Sequence, residues 1–254
     1  MLITGAAAGL GRELALCFVA RDVAVAAIDR DGAGLAEMES IAKGIRPDAK
    51  VATAILDLVD DGAPQRAVDA VVNRWGQLDI VVNNAAIGAI EPFFQMTAEL
   101  WDTTLAINVR ALALLTMSAG RAMVARRSGR IINITSPASR MAIPNYAAYA
   151  ASKAAVDSIT RAAAVALAPQ GISVNSVAPG MMDTEMQRLT EESLARVEGR
   201  DDVQAFLDER TRRVPFGRRA FIEEIAASIV WLALDAPDYV VAERLNVSGG
   251  LDRD

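Results

Sequence analysis

Short apolar runs rich in Val and Ile alternate along the chain with longer helical stretches, and this rhythm constrains the fold more than any other feature. The runs are Met1–Ile3, Val23–Ile28, Val51–Leu56, Ile80–Val82, Arg130–Ile134, Ile172–Val177 and Arg244–Val247. They are too uniformly apolar for half-exposed strands and suit a parallel sheet covered on both faces. The helical stretches are Gly9–Arg21, Gly34–Arg46, Asp61–Trp75, Ala98–Arg126, Tyr146–Ala168 and Ile222–Leu234. Such alternation predicts an α/β fold, a Rossmann-like doubly wound parallel sheet of about seven strands with helices on both faces. No linker or composition break divides residues 1–254, so a single domain is expected.

Residues 183–213 interrupt the rhythm. This stretch is strongly charged and reads as one or two exposed amphipathic helices after the sixth strand, on the sheet edge where open α/β folds bind ligands. It is a candidate substrate lid, with a solvated surface insertion as the alternative.

Missing residue types narrow the chemistry. The chain has no histidine, which removes Ser-His-Asp triads and His-ligated metals, and its one cysteine, Cys17, permits neither an internal disulfide nor a cysteine metal cluster. No metal is expected. A balance of 26 basic against 32 acidic side chains, net charge −6, argues against nucleic acid as a partner. The N-terminal MLITGAAAGLG lacks a basic flank, and the charge-free run 162–182 is broken by Pro169, Gly171, Pro179 and Gly180. No membrane span is expected, and the cytoplasm is the expected compartment.

Immediately after the first strand, Thr4-Gly5-Ala6-Ala7-Ala8-Gly9-Leu10-Gly11 opens a helix. Glycines there let the backbone turn tightly and approach a pyrophosphate resting on the helix N-terminus. Asp29 ends the second strand, where a dinucleotide fold places the acid that binds the adenosine ribose hydroxyls. Its charge would repel a 2′-phosphate, which favours NAD over NADP, while the adjacent Arg30 would accept one. Asp57 and Leu58 close the third strand in the same way, within reach of the adenine. Tyr149 and Lys153, four apart in a helical stretch, share a face. A lysine ammonium beside a phenol favours phenolate, so Tyr149 is expected to have a depressed pKa and to serve as general acid and base. Tyr146, at the helix start, is the poorer candidate.

Together with N-N-A-A at 83–86, Asn108, Ser136, Pro179-Gly180, Thr184 and P-F-G-R at 215–218, these residues make the chain resemble the short-chain dehydrogenase/reductase family over essentially its whole length. The resemblance implies hydride transfer between NAD(H) and a secondary alcohol or ketone. It implies that Ser136 holds the substrate oxygen, Tyr149 moves the proton, Lys153 binds the nicotinamide ribose, and Asn108 holds a water linking Lys153 to solvent. Gly5, Ala8, Gly9, Leu10 and Gly11 would carry the pyrophosphate side. Asn83 would brace the sheet near the adenosine ribose, Pro179-Gly180 and Thr184 would close over the carboxamide, and Ala85 and Met182 would also contact the cofactor. Homodimers or homotetramers through the helices at 106–123 and 147–168 are also implied. Two features depart from the family pattern: the first strand is short, and Ala86 stands where glycine is usual.

Candidate pocket positions are Ile87, Ala89, Ala138, Met141, Asn145 and Met181. The segments 214–218 and 238–250 look like the polyol, sorbitol-type dehydrogenases of the family, so a polyol, sugar or similar small hydroxy compound is the expected substrate. Alternatives are a 3-oxoacyl thioester reductase of the acyl-carrier-protein type and, in a different class, a non-catalytic NAD-binding regulator.

Overall fold

The computed structural model describes residues 1–88 and 90–252; the pocket position Ala89 lies outside them. All seven strands form one parallel sheet in the order β3-β2-β1-β4-β5-β6-β7. They are β1 (Leu2–Thr4), β2 (Val25–Asp29), β3 (Val51–Ile55), β4 (Ile80–Asn83), β5 (Gly129–Ile134), β6 (Ile172–Pro179) and β7 (Arg244–Val247). The order reverses between β1 and β4, and the loops leaving these two strands diverge there.

Strand periodicity decides which helix each side chain meets. Ile3 of β1 packs with Leu14 and Phe18 of α1 (Gly9–Ala20), Leu35 and Met38 of α2 (Gly32–Ile45), and Ile225 and Ile229 of α9 (Ile222–Leu234). Its neighbour Leu2 faces the other way. It joins Val68 and Val71 of α3 (Ala63–Trp75), Leu115 and Met123 of α5 (Leu112–Val124), and Ala164 of α6 (Ala147–Leu167). Side chains such as Phe18, Leu14 and Leu115 are wholly buried, each contributing on the order of 2–3 kcal/mol. The three-residue β1 is thus short but buried on both faces.

Element ends differ from the sequence expectation where a turn intervenes. β2 starts at Val25, not Val23, because Asp22 adopts φ 61° and Val23 N–H still bonds Phe18 O. α2 starts at Gly32 because Asp31 caps it, its Oδ1 accepting from Ala33 N and Gly34 N. The expected helix 98–126 is continuous to Val124 but not uniform. α4 (Ala98–Leu105) passes through a π-helical turn, Ala106–Ala111, into α5. By length and composition, Ala98–Val124 would suffice to cross a membrane, with mean hydropathy 1.2; half of that window is buried in the fold, the pattern of a core helix. The charged segment forms α7 (Glu185–Val197) and α8 (Val203–Arg212).

A polar ladder crosses the central strands inside this apolar frame. Asn83 Nδ2 donates to Thr116 Oγ1 at 3.0 Å and to Asn133 Oδ1 at 2.7 Å. Asn133 Nδ2 then donates to Thr160 Oγ1 at 2.9 Å. All four residues are buried. Asn133→Ala takes one hydrogen bond each from Asn83 Nδ2, which keeps Thr116 Oγ1, and from Thr160 Oγ1, which keeps Val156 O, and it is expected to lower unfolding stability by roughly 1–3 kcal/mol in denaturant titrations.

Candidate active site

A cleft of about 650 Å³ opens along the carboxyl ends of the strands, from Asp29 and Asp57 at one end to Tyr149 and Lys153 at the other. The glycine loop forms its middle. Gly9 adopts φ +51°, and nothing lies nearer a Cβ there than Thr184 Cγ2 at 4.0 Å, so the backbone can meet a ligand directly. Gly11 does a different job: a Cβ would sit 2.0 Å from Gly5 O, so its role is to let α1 begin against the loop. Ala8 precedes α1 without any side-chain cap, leaving the first helical N–H groups facing the cleft. This shape and polarity suit a dinucleotide.

Asp29 is fixed by backbone donors. Its Oδ2 accepts from Ala7 N at 3.0 Å and its Oδ1 from Asp31 N at 3.1 Å. Arg30, Asp57 and Leu58 line the same end, with Asp57 Oδ1 turned back onto Val59 N. Gly5, Ala8, Leu10, Ala85, Pro179, Gly180, Met182 and Thr184 also line the cleft. Gly11 and Asn83 do not. Asn83 lies behind the wall in the polar ladder, and Asn84 takes the cleft position, its Nδ2 donating to Thr4 O and Gly5 O.

At the far end, Ser136 leaves β5 and caps the short turn Pro137–Arg140, its Oγ accepting from Ala138 N at 3.2 Å. Its hydroxyl bonds the Tyr149 phenol. Lys153 Nζ donates to Ile134 O at 2.9 Å and lies 5.6 Å from the centre of the Tyr149 ring. Serine, tyrosine and lysine therefore meet as the sequence suggested.

The electrostatics differ from expectation. Burial pushes the Tyr149 phenol above its ordinary pKa of 10, and the Ser136 hydrogen bond, not the lysine, opposes that shift. The Lys153 ammonium sits over the ring, 5.6 Å from its centre, while bonded to the Ile134 carbonyl. Burial lowers Lys153 itself to about 8, against a smaller opposing effect from Asp157.

Other expected positions fall elsewhere. Asn108 occupies the π-helical turn and is buried. Its Oδ1 accepts from Ile87 N, and its Nδ2 donates to Ile87 O and Ser152 Oγ, so both amide hydrogens are spent on protein. The side chain clamps the loop after β4 to α6. Ala138, Met141 and Asn145 are absent from the cleft lining, and Met181 faces a smaller neighbouring cavity. Ala138 is buried inside the Pro137–Arg140 turn, and the carbonyl of Asn145 accepts from Glu91 N. Ile87 does line the cleft.

Tyr146 is more prominent than expected. Its ring stacks on Tyr149 with centroids 4.3 Å apart and planes 18° apart, and its hydroxyl bonds Thr190 of α7. Burial raises this phenol well above its ordinary range. Nothing in the sequence marks Thr190, because its contact depends on how the 183–213 segment folds back.

The buried lysine imposes a stability cost with a definite sign. Between pH 8 and 10.5 the unfolded chain holds the Lys153 proton and the folded chain releases it, so stability rises with pH across that window. Lys153→Met is expected to raise the unfolding free energy at pH 7 by on the order of 2–3 kcal/mol, with the gain vanishing above pH 10.5. Thermal unfolding at both pH values checks it.

The site and the fold have counterparts among known proteins. Residues 5–252 match the family described as "Enoyl-(Acyl carrier protein) reductase". The sorbitol dehydrogenase of Cereibacter sphaeroides is 37% identical, covering 98% of this chain and 95% of its own. The galactitol 2-dehydrogenase of Agrobacterium fabrum is 36% identical over the same shares. Among solved structures, NAD+-bound xylitol dehydrogenase superposes with a TM-score of 0.93 at 29% identity, covering 98% of this chain and 97% of its own. A variant of actinorhodin polyketide ketoreductase with NADPH gives 0.94 at 30% identity, over 100% and 97%. Both cofactors thus occur on this fold. With these likenesses over nearly its full length, the chain belongs to the short-chain dehydrogenase/reductase family, oxidoreductases acting on alcohol and ketone groups.

Proposed function

We propose that this protein interconverts a polyol and its ketose at a secondary carbon, with NAD(H) as the redox partner. The observation that carries this reading is the meeting of Ser136, Tyr149 and Lys153 at one end of a cleft whose other end presents the Asp29 carboxylate. A bound nicotinamide supplies or accepts the hydride. Ser136 and Tyr149 aim two hydroxyl groups at one substrate oxygen. In oxidation Tyr149 takes the alcohol proton; in reduction it returns one. Because burial holds the phenol protonated at neutral pH, reduction is the readier direction there, and oxidation accelerates as pH rises toward the phenol pKa.

NAD is preferred on electrostatic grounds. A 2′-phosphate would meet Asp29, while Arg12 is already committed to Ala7 O and Glu37. Arg30 is the one cation lining that end among the described residues.

The 183–213 segment serves as the substrate lid. Met186, Leu189, Thr190 and Ser193 of α7 line the cleft, and Leu194, Ala195 and Phe206 pack with Ile90. Glu191, wholly buried, bridges Arg210 Nε at 3.1 Å and Arg219 Nη1 at 2.7 Å, tying α7 to α8 and the following loop. Thr190, Ser193 and the Tyr146 hydroxyl offer partners for substrate hydroxyls. The apolar Ile87, Ile90 and Leu189 favour a second reading, a 3-oxoacyl thioester reductase. Homo-oligomers through α5 and α6 fit the exposed Leu114, Met117 and Val165, and the cytoplasm is the compartment we assign.

A panel of polyols, secondary alcohols and 3-oxoacyl thioesters, each with NAD(H) and NADP(H), tests the proposal. Polyol turnover is expected, with tighter binding of NADH than of NADPH. Turnover of thioesters alone selects the second reading, and no turnover at all favours a regulator that only binds nucleotide. Tyr149→Phe is expected to cut kcat by a factor on the order of 10² or more while NADH affinity is kept, measured by steady-state kinetics and cofactor fluorescence.

A further inference from the structure

Behind the catalytic end of the cleft lies a buried charge cluster that the proton transfer itself does not use. Arg244 opens β7 with its side chain only 8% exposed. Its Nη2 donates to the Ser136 backbone carbonyl at 3.0 Å and to Ser139 Oγ at 3.3 Å. Its Nε lies 3.3 Å from Asp157 Oδ2. Its Nη1 lies 2.5 Å from Asp252 Oδ2 and also bonds Asn246 Oδ1. Asp157 sits one turn beyond Lys153 on α6 and accepts from Ser139 Oγ at 2.7 Å. One guanidinium therefore ties the Ser136 turn, the helix of Tyr149 and Lys153, and the segment after β7.

Only arginine has the reach for this. Its planar fork presents several donors in fixed directions, whereas a lysine ammonium is a single point of charge. The charged and titratable groups that face one another here are Tyr149, Lys153 and Asp157 from α6, Arg244 from β7 and Asp252 from the segment after it. Arg140, from the turn after β5, is 4.0 Å from Asp252 Oδ1. Two carboxylates thus stand among the cations, and Asp157 interacts both with Arg244 at 3.3 Å and with the Lys153 charge.

We propose that Arg244 is a positioning residue for proton transfer: it fixes Ser136 through its carbonyl and balances the Asp157 charge behind Lys153. This rests on Ser136, Tyr149 and Lys153 performing the alcohol–ketone chemistry proposed above. Removing the Arg244 cation leaves Asp157 uncompensated, so Lys153 and Tyr149 keep their protons to higher pH. Removing the Asp157 carboxylate does the reverse.

The test compares Arg244→Gln, Arg244→Lys and Asp157→Asn in the full chain, by kcat–pH profiles for oxidation, NADH affinity and thermal unfolding. Arg244→Gln is expected to lower kcat by roughly ten- to a hundredfold with NADH affinity within about threefold, because truncating a charged partner leaves the Ser136 carbonyl unheld. Its rising pH limb is expected to move up by about one unit, and that of Asp157→Asn to move down. Arg244→Lys, which keeps charge without the fork, is expected to lose kcat while its pH limb stays in place. An Arg244→Gln enzyme with unchanged kcat and pH limb overturns the proposal. So do shifts of the same sign in Arg244→Gln and Asp157→Asn, or NADH affinity or folding lost in step with kcat. If the wild type turns over no alcohol, the functional reading fails separately. Ultraviolet tyrosinate titration, wild type minus Tyr149→Phe, then still reads the phenol: opposite shifts in Arg244→Gln and Asp157→Asn uphold the assignment, and no shift overturns it.

Discussion

The seam between β1 and β4 governs everything downstream. Crossovers leave it in opposite directions, so the loops after the two strands separate and a cleft must form between them. Their backbone groups have no ladder partners there, and buried backbone groups cannot be left unpaired. Thr4 and Asn84 answer that demand. Thr4 Oγ1 accepts from Asn84 N at 3.1 Å and Ala85 N at 3.0 Å, and Asn84 Nδ2 returns two bonds to Thr4 O and Gly5 O. The loops are closed against each other at their bases and stay open above, which is the shape a dinucleotide needs.

Polar groups buried elsewhere in the sheet serve the same end at greater distance. The Asn83–Asn133–Thr160 ladder sets β4 and β5 against α6, and Asn108 clips the loop after β4 to that helix through Ile87 and Ser152. A π-helical turn at Asn108 places its amide one residue off the ordinary helical face. Such elements are costly to bury, and in the ladder the Asn83 Oδ1 is left without a partner while the other amide and hydroxyl groups are paired. They tie α6 to β4, β5 and the loop after β4, which fixes where Tyr149 and Lys153 stand for the proton transfer proposed above.

Much of this was legible in the sequence, for identifiable reasons. Buried parallel strands read as unbroken apolar runs, and a tyrosine and lysine four residues apart must share a helix face. Side-chain direction was harder. Ala138 and Asn145 are near Ser136 and Tyr149 along the chain, yet one is buried in a tight turn and the other is held through its carbonyl to Glu91 N. Of the adjacent Asn83 and Asn84, strand alternation sends the first into the sheet and leaves the second at the cleft. Arg244 read only as the start of an apolar strand run because its partners Asp157 and Ser136 lie 87 and 108 residues away. The expected depression of the Tyr149 pKa rested on spacing alone, and spacing does not say where the ammonium points.

That correction changes how the site works at rest. Burial drives both phenols and the lysine toward their neutral forms, raising Tyr146 and Tyr149 and lowering Lys153 to about 8. Near neutral pH the phenol therefore keeps its proton firmly, and among these three groups the proton closest to leaving belongs to Lys153. The desolvation that strengthens each hydrogen bond to a reacting oxygen also opposes the phenolate that oxidation requires. Positive charge near the phenol oxygen would resolve the conflict, and the Lys153 ammonium is bonded to the Ile134 carbonyl at 2.9 Å. If Tyr149 moves the proton as proposed, the Ile134 carbonyl and the phenol draw on one lysine, and that shared demand bears on the balance between reduction and oxidation.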